Sequence, residues 1–327
     1  MYMKKICDIV ITAIFTAIIF GFGIASLAFH DADISVSERR VLAKRPALTS
    51  ETFFSGYYAK QTDLYFFDHF PARELLRSLD AHLRFGLFGL RENNGVMVKD
   101  GFAAKIASPL DEKQIKYGAA KFNKIIEDYL NGSKVYISVI PDKNYYLTAP
   151  DEYNRFDYER LIRLVRDGVP DAVYIDLFEV LSKEDYYRTD IHWNQPRILP
   201  AAQELADKMG LGASLSPEGG FTAHEYYPFY GSNFRYSALP FKPDTLVYLT
   251  SRAIDEAVMT GISFEGGLPV YAADKLGGLD AYDVFAAGPQ AVLTVTSPLA
   301  KTDRELIIFR DSFGSSVAPL LLEGYAK

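Results

Sequence analysis

The run from Ile6 to Phe29 constrains this chain more than any other stretch. It is apolar except for Asp8 near its start, and it follows the pair Lys4-Lys5. Roughly 20 apolar residues in a helix cross the hydrocarbon core of a bilayer, because the helix satisfies its own backbone polar groups. Residues 1–30 therefore read as a transmembrane anchor. The lysines before the run, with His30, Asp31 and Asp33 after it, orient the N-terminus to the cytoplasm and the remainder outside it. A cleaved signal peptide, releasing a secreted protein, is the rival reading. Ser26-Leu27-Ala28 has the small-x-small spacing of a cleavage site, but the run exceeds the usual apolar core of a signal. Cys7 lies at the start of the run and not after it, which argues against a lipoprotein.

Composition removes several function classes. Cys7 is the only cysteine, so no disulfide framework and no cysteine-based zinc site is expected. No H-E-x-x-H spacing occurs, and neither a metal nor a cofactor is expected. The net charge of −7 gives no basic face for nucleic acid. A hydrophobic share of 49% over 327 residues supports one large or two medium domains beyond the anchor. The 22 Tyr and 23 Phe suit a carbohydrate- or protein-binding rim as well as a core.

Residues 31–92 read as a charged linker followed by helices. Thr49 or Ser50 caps a helix from Phe53 into the seventies, and Pro71 kinks or restarts it. His69 and His82 read as surface or interhelical groups. Residues 93–210 open on the turn Asn93-Asn94-Gly95 and a short strand and turn over Val96–Phe102. Asp111 or Ser108 starts an amphipathic helix with Ile115, Ala119, Phe122, Ile125, Ile126 and Tyr129 at helical spacing, ended by Asn131-Gly132. Val135–Ile140 and Val173–Leu177 are β-branched runs typical of buried parallel strands. Helices are expected over Tyr158–Val165, Leu177–Leu181 and Pro196–Met209. Residues 211–298 carry Gly, Pro and short alternating runs, and read as an insertion of short strands and loops. Residues 299–327 return to the core, with Leu306–Phe309 as a third buried strand and a helix after it. The alternation predicts an α/β sandwich around a parallel sheet.

Two stretches carry chemistry. In Tyr186–Asn194, Asp190 and His192 are two apart, so an extended segment puts both side chains on one face. A carboxylate beside an imidazole fixes the tautomer and stabilises the imidazolium formed in proton transfer. Ser312 follows the apolar run at Asp311-Ser312-Phe313-Gly314 and supplies a nucleophile. The N–H of Ser312 or Phe313, at a helix N-terminus, would hold an oxyanion. Structural roles compete with these. Ser312 would be an N-cap with Asp311 paired to Arg310, and Asp190 and His192 a polar loop anchor over Trp193.

Thr189-Asp190-Ile191-His192-Trp193 resembles the signature of the bacterial DHHW family. That family is similar to the alginate O-acetyltransferases of the AlgJ and AlgX type, with an SGNH-hydrolase-like domain. The resemblance extends to Ser37-Glu38-Arg39-Arg40 with Ala43-Lys44-Arg45-Pro46, Phe53-Phe54-Ser55-Gly56, Asp68-His69-Phe70-Pro71-Ala72-Arg73, Pro141-Asp142-Lys143-Asn144 and Arg310-Asp311-Ser312-Phe313. It implies an SGNH-hydrolase-like three-layer sandwich, Ser312 as nucleophile, His192 as general base and Asp190 as its orienting acid. It also implies Asn144 as a side-chain oxyanion donor. The second motif position is Ile191 instead of His, which leaves these three residues intact. The nucleophile comes last in the chain, the permuted order of the alginate enzymes. The family continues into another strand, so the chain is expected to be truncated there and inactive as written.

The function expected is acetyl transfer to an exported or cell-surface polysaccharide, with a membrane-bound partner delivering acetyl groups. A carbohydrate acetyl esterase on the same residues is one alternative; a non-catalytic polysaccharide-binding or assembly protein is another. Tyr226–Tyr230, Tyr230 in particular, is expected to line a glycan groove or form a plain apolar patch. Lys143 is expected to steer an anionic sugar or to be a solvated surface group.

Overall fold

The computed structural model describes residues 2–28, 32–35, 38, 40–106, 109–149, 155–239 and 241–327. His30, Asp31, Ser37, Arg39 and Ser108, each part of an expectation above, lie outside the described residues. Contacts divide the chain into two units, Met1–Leu90 with Ala238–Pro240, and Arg91–Ser237 with Phe241–Lys327.

The first unit opens with the helix Tyr2–Ala28. Its segment Lys5–Ser26 is long and apolar enough to cross a membrane, and none of it is buried. An anchor and a signal sequence both fit that helix. Where a helix from Phe53, interrupted near Pro71 and followed by a second through Leu75–Phe85, is expected, three helices form. Thr49 caps Ser50–Phe54 through a reciprocal bond with Thr52. Gly56, at φ 73°, breaks the chain before Tyr57–Asp68. The helix Arg73–His82 restarts beyond Pro71. Two of the motifs named above meet here. Asp68 accepts from Arg40 Nη1 at 2.9 Å and from the Ala43 N–H at 2.8 Å. His69 Nε2 lies 2.9 Å from the Ala43 carbonyl. Glu38 pairs with Arg73 at 2.9 Å and Arg77 at 3.3 Å. The hydrogen bond from Arg40 holds the Asp68 carboxyl below its ordinary range, against the effect of burial. His69 thus ties the end of its helix to the extended segment at Ala43, and His82 bonds within its own helix to the Ser78 carbonyl.

The second unit holds the chemistry. Val96–Lys99 and Phe102–Lys105 form a hairpin whose turn, Asp100-Gly101, takes positive φ at both positions. That geometry matches strand twist, and Gly101 adopts it without a Cβ penalty. Asp111 caps the amphipathic helix Glu112–Tyr129 by accepting from the Lys113 and Gln114 N–H groups. This helix lies on Tyr158–Gly168, where Asn123 donates to the Gly168 carbonyl at 2.8 Å. A Cβ on Gly168 would come within 2.8 Å of Ala119. The main core gathers Ile175, Leu177, Trp193, Ile198, Leu249, Val317 and Leu320.

The protein is mixed α/β, but its sheets are small. Among the described residues the one parallel pairing joins Tyr136–Ile137 to Val173–Tyr174. The other sheets are antiparallel, including the hairpin Thr222–Phe229 with Asp244–Thr250 and the set Phe264–Leu268, Val258–Gly261 and Leu293–Thr296. Two expectations need correction. Leu177–Leu181 is a turn, with Asp176 accepting from the Phe178 N–H at 2.9 Å. Leu306–Phe309 is not a buried strand: Ile307 is 72% and Phe309 59% exposed. The Leu306 N–H bonds the Lys327 carbonyl at 2.8 Å, and no strand pairs with the residues beyond it among those described. An apolar run has the capacity to be a core strand, but a ladder needs a neighbour, which local sequence cannot specify. Residues 211–298 contribute to the packing of the second unit. Leu246, Tyr271, Tyr282 and Val284 build a second core cluster inside the same unit.

Candidate active site

Ser312 is the first residue of the helix Ser312–Leu321 and is exposed to solvent. Asp311 is the N-cap, and its carboxylate accepts from the N–H groups of Phe313 at 2.9 Å and Gly314 at 3.2 Å. The helix buries Val317, Leu320 and Leu321 in the main core, so its first turn is rigidly placed.

The second stretch is a loop pinched by a bridge between Tyr186 and Trp193. Asp190 accepts from the His192 N–H at 3.0 Å through Oδ1, the local turn that Asp favours. The same oxygen meets His192 Nδ1 in a short contact. Oδ2 accepts from the Ser232 N–H at 2.6 Å. The Asp190 carboxylate, fully buried, is therefore satisfied on both oxygens. With Nδ1 donating to Asp190, Nε2 is left as the acceptor, and it lies 2.7 Å from Ser312 Oγ. Ser312, His192 and Asp190, separated by 120 positions at their widest bond, form one hydrogen-bonded line from solvent into the core.

Neighbours that the spacing of the sequence does not reveal hold this line. Tyr282 lies flat on the His192 ring with centroids 3.7 Å apart. Its hydroxyl donates to Ser316 Oγ at 2.7 Å, and Trp193 Nε1 donates to the same oxygen at 2.6 Å. Burial keeps the Tyr282 hydroxyl protonated far above its ordinary range. Gln195 ties the helix to the hairpin, donating to the Ser316 carbonyl at 2.6 Å and accepting from the Leu249 N–H at 2.7 Å. Gly231 passes so close to Asp190 that a Cβ there would lie 2.3 Å from the Asp190 Cα. A glycine flanked by Tyr230 and Ser232 was the one visible signal of that close approach.

The remaining expected residues fall elsewhere. Lys143 is 2% exposed, so it neither steers a sugar nor meets solvent. Its Nζ donates to the carbonyls of Asp190 at 2.6 Å, Tyr187 at 2.8 Å and Arg188 at 3.3 Å. Burial draws its pKa down to about 7, opposed by the carboxylates of Asp190, Asp244 and Asp142. Asn144 Nδ2 donates to the Lys105 carbonyl, and no bond from it to Ser312 or His192 exists among the described residues. The side chain faces the Phe102–Lys105 strand, because a one-turn helix starting at Asn144 turns it there. The Phe313 N–H is taken by Asp311, which leaves the Ser312 N–H as the first-turn donor outside that cap. The Phe313 ring instead packs 5.0 Å from His192 and 5.3 Å from Trp193. Tyr230 is 41% exposed and packs on Phe234 at 4.6 Å. No group of three or more metal-ligating side chains occurs among the described residues.

This architecture is found in solved structures. A DHHW family protein from Eubacterium siraeum is similar over 72% of this chain and 81% of its own, at 21% identity and a TM-score of 0.58. The chain shares the DHHW protein's fold. PatB1 of Bacillus cereus is similar at 14% identity, over 71% of this chain and 85% of its own, with a TM-score of 0.56. A second PatB1 structure, carrying a sulfonyl adduct, matches at 13% identity, over 71% and 82%, with a TM-score of 0.54. No protein-family model and no curated protein matches the chain.

Proposed function

We propose that the chain is an acetyltransferase acting outside the cytoplasm on a polysaccharide hydroxyl, with Ser312 as nucleophile, His192 as general base and Asp190 as the group that orients it. The observation carrying this reading is the 2.7 Å approach of His192 Nε2 to an exposed Ser312 Oγ, with a buried carboxylate behind the ring. That is the arrangement in which a weak hydroxyl nucleophile is activated. The sequence resemblance to SGNH-like O-acetyltransferases and the shared DHHW-type fold support it.

In the proposed reaction Ser312 Oγ adds to the carbonyl carbon of an acetyl donor while His192 Nε2 takes its proton. The oxyanion develops beside the Ser312 N–H, at the positive end of a helix. Collapse expels the donor's leaving group, which takes the proton from His192. A sugar hydroxyl then gives its proton to His192 and attacks the acetyl-serine, and collapse restores Ser312. Tyr282 keeps the ring from turning between the two half-reactions. The N-terminal helix would tether this chemistry to a membrane, where a membrane-bound partner would deliver the acetyl group. Because Ser312 is exposed, water competes with the sugar for the acetyl-enzyme. Acetate release and sugar acetylation are therefore measured together.

The test is mass spectrometry of the full chain after exposure to an activated acetyl ester. An adduct of about 42 Da, one acetyl group, on Ser312 is expected, and none in Ser312→Ala. Acetyl transfer to an added oligosaccharide in excess of free acetate identifies the transferase. No adduct and no ester turnover would remove this reading and the esterase with it.

A further inference from the structure

The loop that carries Asp190 and His192 is gripped by two side chains of opposite charge, Lys143 buried and Asp244 half-buried, each holding one kind of backbone group. Lys143 takes carbonyls. Its Nζ has three donors, and they meet the carbonyls of Tyr187, Arg188 and Asp190. Asp244, at the start of the strand Asp244–Thr250, takes donors. Its carboxylate accepts from the Arg188 N–H at 3.1 Å, the Thr189 N–H at 2.8 Å and the Thr189 hydroxyl at 2.7 Å. Both grips act on residues 187–190, immediately before the imidazole. The loop is too short and too polar to hold itself in a buried place, so these contacts set where His192 stands.

We propose that Lys143 is a positioning residue whose hydrogen bonds hold the Asp190–His192 loop in its working geometry. The inference rests on the reading of Ser312, His192 and Asp190 given above. The Arg188 carbonyl also accepts from the Ala103 N–H at 2.8 Å, so the grip that matters is on Tyr187 and Asp190. Without the lysine head those two carbonyls lose this donor, at the cost of unsatisfied polar groups. The groups facing Lys143 are the carboxylates of Asp190, Asp244 and Asp142, which favour the ammonium, and the Phe102 ring, 5.8 Å from Nζ. Burial opposes them and brings the titration to about 7. The hydrogen bonds of Lys143 Nζ go to loop carbonyls and not to Ser312, so it acts through the loop.

The test is amide hydrogen exchange by mass spectrometry on the full chain, compared between wild type and Lys143→Met, with the segment Ser312–Leu321 as an internal measure of folding. This readout does not depend on turnover, so it separates failure of this inference from failure of the catalytic reading. In Lys143→Met, protection over residues 186–193, corrected for intrinsic exchange, falls at least about tenfold against wild type, while Ser312–Leu321 stays protected. A loop as protected as wild type in the variant, with Ser312–Leu321 protected too, overturns the proposal. If the variant loses protection everywhere, Lys143→Gln, which keeps a polar head without the third donor, decides by the same comparison, and a loop as protected as wild type overturns it. Where an acetyl ester is turned over, the variant lowers kcat at least about tenfold with KM nearly unchanged.

Discussion

The Tyr282 ring lies on the His192 imidazole at 3.7 Å and within 8° of parallel, although the two residues come from segments far apart in the chain. One face of the imidazole is thereby closed to water, and ring rotation is blocked. The contact also links the Asp190–His192 loop to the helix that starts at Ser312, since the Tyr282 hydroxyl bonds Ser316.

That contact predicts a split between two variants. Tyr282→Phe keeps the stack and removes one of two donors to Ser316 Oγ, costing about 1 kcal/mol of stability with small effect on ester turnover. Tyr282→Ala removes the ring from a buried place and should cost about 3–5 kcal/mol. If folded, it should lose more activity than Tyr282→Phe. Thermal melts and chromogenic ester assays on both variants check this. Equal loss of activity in the two would show that the hydroxyl, not the ring, matters.

Gly231→Ala should be among the most damaging single-atom additions in the chain. The new Cβ would sit 2.2 Å from the Asp190 Cβ and 2.4 Å from its backbone nitrogen, so one segment must move. The movement would also pull the Ser232 N–H from Asp190 Oδ2. A stability loss of about 3 kcal/mol or more is expected by denaturant titration, in the range of overpacked cores. A wild-type midpoint would contradict the close approach.

Asp190→Asn preserves shape and removes the charge behind the imidazole. An amide presents a donor or a neutral oxygen to Nδ1, so the tautomer is no longer fixed. Loss of kcat by a factor on the order of 10³–10⁴ is expected, from the behaviour of comparable triads. Circular dichroism should show a folded protein. Retention of more than about a tenth of the activity would place the proton-accepting role elsewhere.

Lys143 makes stability depend on pH. It titrates at about 7 in the folded protein against an ordinary value of 10.5, so folding weakens its hold on a proton. Below about 7 both states are protonated, and the cost of the buried charge weighs fully on the fold. Between that value and 10.5 the unfolded chain binds more protons, so the free energy of unfolding rises with pH. The rise is bounded at about 5 kcal/mol, at about 1.36 kcal/mol per pH unit. The difference in unfolding free energy between wild type and Lys143→Met, followed against pH, isolates this contribution. A difference that falls as pH rises through this window would refute the sign.

Local features of the chain were legible where the physics is local. The apolar run before Phe29, the Asp111 cap, the amphipathic helix Glu112–Tyr129 and the break after Pro71 all follow from residue type and spacing. Asp190, His192 and Ser312 stood out because their chemistry is rare in those positions, and they are the three that meet. Lys143 and Asn144 were misjudged for one reason. A residue after a strand can point at the site or beneath it, and the turn that decides is set by contacts made far away.

By itself the sequence determined that Glu112–Tyr129 is helical, which stretch suits a bilayer and which side chains are able to activate a hydroxyl. Each of these depends on neighbours within a few positions. Tertiary structure alone decided that Leu306–Phe309 lies open, that Lys143 grips three carbonyls and that Gly231 and Tyr282 close around Asp190 and His192. Those outcomes depend on pairing, burial and close approach between distant segments, and such contacts leave no periodicity in the chain to read.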